Sequence, residues 1–139
     1  MIVDKSKKVS AAQAAAAALQ DRKEGALARI RQLSGETRAN YISVIPGQEM
    51  IYLAKEREAA AYLAGVPGDY PFLTAEVGET GETVAQVAQV VLNLAAGWRV
   101  IGAEIEALRV CANAAVLAAQ MIAEVDAALA SFTTAIAAW

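Results

Sequence analysis

The stretch TVAQVAQVVLNLAAGWRVIGAEIEALRVCANAAVLAAQ, residues 83–120, decides how this chain is read. Its small and apolar residues recur at alternating steps of four and three: Val87, Val91, Leu94, Trp98, Ile101, Ile105, Leu108, then Ala112, Ala115 and Ala119. That is the spacing of a helical seam that meets another helix along its length. The same steps continue through Ile122, Asp126, Leu129, Thr133 and Ile136 towards Trp139, and no proline interrupts residues 83–139. The spacing predicts one very long C-terminal helix over 83–139, with a coiled-coil-like seam. Such a helix would be roughly 80 Å long at 1.5 Å per residue. Asn113 and Ser131 are the alternative break points, where the two halves would fold back as an antiparallel pair. Residues 84–108 form the principal packing segment; beyond them the seam thins to alanine, and Asp126 and Thr133 fall on it.

Upstream of the seam the punctuation is strong. Residues 65–71 read Gly-Val-Pro-Gly-Asp-Tyr-Pro, two prolines and two glycines in seven positions, and predict a loop. With the irregular Gly78–Gly81 stretch, the loop region spans 65–82, interrupted by one helical turn near 72–77 capped by Thr74. Glu79 and Glu82 suit the positive N-terminal dipole of a helix beginning at Thr80 or Thr83. Pro46-Gly47 forces a second break, because proline disfavours helical geometry at Ile45. A helix from Gly47 to Ala64 is expected to pack through Met50, Leu53, Ala54, Arg57, Ala60 and Ala61, with Glu49, Lys55, Glu56 and Glu58 in water. Before the break, Ser10 with Gln13 three residues on has the form of a capping box. The helix it starts carries Leu19, Leu27, Ile30 and Leu33. It ends at Ser34-Gly35 or continues towards Ile45, since Ile30, Thr37 and Val44 repeat at seven.

The expected fold is therefore all-α and a single helical domain over 1–139. It comprises a flexible basic leader (1–9), a helical pair or kinked helix with a break near Pro46 (10–64), the Pro/Gly loop (65–82) and the long helix (83–139).

Composition narrows the function. About a quarter of the residues are alanine, so the 57% hydrophobic content overstates the available core. Alanine lets helices approach closely but buries little area, and a chain of this kind gains by associating with copies or partners. Net charge is −3 and the pI about 5.0, which argues against general attraction to nucleic acid. The charge is uneven: the first 38 residues hold Lys5, Lys7, Lys8, Arg22, Lys23, Arg29, Arg31 and Arg38. Asp69, Glu76, Glu79 and Glu82 stand without a base between them. These two regions can pair within or between subunits. The start of the chain does not read as a signal peptide. The most apolar windows are interrupted by Gln86, Gln89, Asn93, Arg99, Asn113 and Gln120, which argues against a membrane span.

No arrangement of residues points to chemistry. The chain has no histidine, so the commonest general base and metal ligand are missing. Its single cysteine, Cys111, reads as a buried small hydrophobe. Glu104 and Glu106 lie two apart and face different directions on a helix. Glu76, Glu79 and Glu82 are spaced across glycines without the pattern of a calcium loop. Tyr41, Tyr52, Tyr62 and Tyr70 occupy different faces and read as core-edge packing. Arg99 and Arg109 flank the seam and are expected to pair with Glu104 or Glu106, or with a neighbouring chain. Trp98 and Trp139 are the anchor candidates for an interface. No catalytic residue, cofactor or metal site is predicted.

Several segments in order carry a resemblance. They are the basic alanine-rich leader helix, Arg38-Ala-Asn-Tyr-Ile-Ser-Val-Ile-Pro-Gly-Gln-Glu49, Tyr52-Leu-Ala-Lys-Glu56, Asp69-Tyr-Pro71, and the Thr83–Val91 run leading to Trp98 and Ile105-Glu-Ala-Leu-Arg109. Over residues 37–120 the chain resembles small helical proteins encoded beside tail-fibre genes of tailed bacteriophages and prophages. The resemblance implies a non-enzymatic virion component, a tail-fibre or baseplate accessory protein assembled in the bacterial host cytoplasm. Its partners would be copies of itself or a tail-fibre or baseplate protein. A transient tail-fibre assembly chaperone is the alternative, and a membrane-active helical protein a weaker one. The expected interface is the seam from Val87 to Leu108, with Ile122, Leu129, Ile136 and Trp139.

Overall fold

A computed structural model describes residues 9–43 and 45–139. The expected leader, with Lys5, Lys7 and Lys8, falls outside the described residues except for Val9, and Val44 falls outside them as well. The described chain is helical throughout: α1 (Ala11–Ala39), α2 (Gln48–Leu63), α3 (Pro71–Ala75), α4 (Val84–Ala118) and α5 (Ile122–Ile136).

Local signals account for most of the boundaries. Ser10 and Gln13 form the reciprocal capping box that opens α1: the Gln13 N–H donates to Ser10 Oγ (3.1 Å) and the Ser10 N–H to Gln13 Oε1 (2.9 Å). Gly47 precedes α2 with φ +86°, a left-handed conformation that favours glycine. Thr83 Oγ1 accepts the Gln86 N–H (3.2 Å) at the start of α4. In α3, Pro71 stands at the first position, where its missing N–H costs nothing. Thr74 does not cap α3; its hydroxyl donates back to the Tyr70 carbonyl (2.8 Å).

The very long C-terminal helix is corrected. α4 stops at Ala118, three residues of irregular chain follow, and α5 begins at Ile122. Neither Asn113 nor Ser131 is the break point. Met121 is extended (φ −147°, ψ 157°), and Glu124 Oε2 takes the Gln120 N–H (2.7 Å), closing the start of α5. The non-helical residues reset the helical phase. The seam expected through Ile122 and Leu129 gives way in α5 to a buried face of Val125, Phe132 and Ile136.

The backbone groups into two compact units, one formed by Met1–Arg38 with Ile105–Trp139 and one by Ala39–Glu104. In the terminal unit, α1 contributes Ala26, Ile30 and Ser34, α4 contributes Ile105, Ala112 and Val116, and α5 contributes Val125, Phe132 and Ile136 as buried residues. Arg38 meets Glu106 (2.7 Å) while Lys23 Nζ donates to the Leu117 carbonyl (2.8 Å), so α1 and this part of α4 run in opposite directions. Ser34 is tolerated in the core because its hydroxyl donates to the Ile30 carbonyl (2.7 Å).

The central unit is built on Ala59 of α2, Leu73 of α3, and Val87, Ala88 and Val91 of α4, with Tyr62, Tyr70, Val84 and Leu92 packed around them. Tyr62 and Tyr70 meet edge to face at 5.3 Å. The expected orientation of α2 is also corrected. Of the expected packing face, Ala54 and Ala61 are half-buried but Met50, Leu53, Arg57 and Ala60 are exposed, whereas Tyr52, Lys55, Glu56, Ala59 and Tyr62 turn inward. The inward side is stabilised by polar partners: Lys55 pairs with Glu76, Glu56 with Arg99, and Glu58 Oε2 accepts the Leu73 N–H (3.0 Å). These contacts cover the stems of long side chains while satisfying their charges.

Candidate functional site

An open groove of about 880 Å³ lies between α2 and α4 of the central unit. Its apolar surface comes from Tyr52 and Leu53 of α2, from Val90, Val91, Leu94, Ala95, Trp98 and Ile101 of α4, and from Tyr41 and Ile42 between α1 and α2. The two helices expose this surface because each turns another face to the core. On α4, Val87, Ala88 and Val91 are buried, and Leu94 leaves the packed surface at 70% exposure. On α2, Leu53, which lines the same groove, is 56% exposed. Trp98 is held against its own helix: a Cβ at Gly102 would lie 3.0 Å from its ring, so glycine permits the close stacking.

The groove has a charged rim. Glu49, Lys55, Glu56 and Glu76 line it, with Thr80 and Asn93 as neutral polar groups. Lys55 is committed to Glu76, which also accepts from Thr80 Oγ1 (2.8 Å). The Lys55 ammonium lies 5.7 Å from the Tyr52 ring centre. The hydrogen bond from Lys55 holds the Glu76 carboxyl below its ordinary value; partial burial opposes this, and Thr80 adds to the lowering. Glu76 is thus ionised and hydrogen-bonded at neutral pH, an anchor for its loop rather than a proton carrier. Glu56 is neutralised by Arg99, not the partner expected for that arginine. Glu49 makes no ion pair among the described residues and adds an uncompensated negative charge.

The residues expected to form one seam have different positions. Val87 and Val91 lie in the core of the central unit, whereas Leu94, Trp98 and Ile101 line the groove with one side of Val91. Ile105 and Ile136 are buried in the terminal unit, Leu108 is half-buried, and Ile122 is exposed just after the break. Leu129 lines a shallow cleft with Arg22, Asp126 and Thr133, and Trp139 is half-buried. Asp126, expected on the seam, pairs instead with Arg22 (2.6 Å), which lowers its carboxyl from the ordinary value. Cys111 is exposed rather than buried, because Ala112 and Val116 take the inward positions on that part of α4.

Tyr41, Ile42, Leu53 and Asn93 were not expected to share a surface with the seam. Leu53 was legible as an apolar position on α2, but nothing local shows that its helix face is left uncovered. Arg109 does pair with Glu106, through two bonds of 2.9 and 2.5 Å, and Arg38 joins the same carboxylate. Among the described residues, no helix is long and apolar enough to cross a membrane, and no three potential ligands converge as a metal site.

No protein family, curated protein or solved structure matches the chain.

Proposed function

We propose that this chain is a non-enzymatic structural component of a bacteriophage tail, a tail-fibre or baseplate accessory protein that acts by helix–helix association. The carrying observation is the exposure of Leu94 within a seam whose neighbour Val91 is buried. An apolar side chain in that position, lining the same open groove as Leu53, fits the reception of an apolar helix face. The polar groups around it suit recognition rather than catalysis. Glu76 is occupied by Lys55 and Thr80, and no histidine stands ready to activate a hydroxyl. The tail assignment itself rests on the resemblance of residues 37–120.

Quantitative mass spectrometry of purified virions tests this assignment. A virion component is present at a fixed copy number relative to the major tail proteins. Recovery from lysates during tail assembly, with none in finished particles, would overturn the virion role in favour of a transient chaperone.

A further inference from the structure

We draw no further inference here: the strongest candidate, the open apolar groove between α2 and α4 with Leu53 and Leu94 exposed on it, belongs to the site already described, and nothing in the structure shows what covers it.

Discussion

At Glu76 the carboxylate ties the loop before α4 to α2 through Lys55, and Thr80 completes its hydrogen bonding. Its pKa is lower in the folded chain than the ordinary 4.5. As pH falls, the unfolded chain therefore takes up this proton first. The contribution is fully present above the ordinary carboxylate value and is lost as pH drops through the lower folded one. Thermal melts should accordingly show wild-type stability declining as the pH falls below the ordinary carboxylate value. Glu76→Gln should flatten part of that decline and cost about 1 kcal/mol at pH 7; an unchanged acid limb would contradict the role. Gly81 is a second restricted position. A Cβ there would stand 2.9 Å from Gln86 Cβ and 3.0 Å from the Val87 nitrogen, and the backbone of the first turn of α4 cannot swing aside as a side-chain tip can. Gly81→Ala should destabilise the chain by about 1–3 kcal/mol in urea denaturation.

The helices differ in how their ends are secured. α1 starts on the Ser10–Gln13 box, which is local in sequence and was readable as such. α5 starts on a device that crosses a break: Glu124 reaches back to the Gln120 N–H, which has no helical partner. Glu124 also places a negative charge in the first turn, where the helix dipole favours it. Glu124→Ala should cost about 1 kcal/mol, within the range of lost N-terminal caps. It should also speed amide hydrogen exchange at Gln120 in particular. Equal exchange in the two proteins would show that the contact does not hold the turn. The short irregular segment carries neither glycine nor proline, so ordinary breaker signals do not mark it. The capping acid looks, in sequence, like any other glutamate on a helix.

Across the molecule, burial is concentrated in two small cores, each dependent on a few large side chains. Leu73 in the central unit and Ile30 in the terminal unit are fully buried. Leu73→Ala and Ile30→Ala should each cost about 3 kcal/mol, the usual loss for a buried aliphatic side chain cut to alanine. Hydrogen exchange can assign the effect: Leu73→Ala should lower protection at Ala59 and Val87, and Ile30→Ala at Ile105 and Val116. A loss below about 0.5 kcal/mol would mean that these side chains are not packed as described. α4 contributes to both cores, Val87 and Val91 to one and Ile105, Ala112 and Val116 to the other. A seam with regular spacing thus performs different tasks along its length: burial near its start, the groove at Leu94 to Ile101, and burial again beyond Ile105.

The sequence by itself determined the all-helical character, because alanine content, capping residues and three-four spacing are local properties that each favour helix. It also determined the breaks at Pro46-Gly47 and at residues 65–71, where backbone geometry leaves little choice. Only the tertiary structure decided which faces are covered. The polar side of α2 turns inward because Glu76, Arg99 and the Leu73 N–H supply partners from elsewhere in the chain. Leu94 remains exposed although its spacing matches that of buried Val87, Val91 and Ile105. Periodicity specifies that residues share a helix face, whereas covering that face requires atoms from another segment. At the groove the described residues supply too few of them.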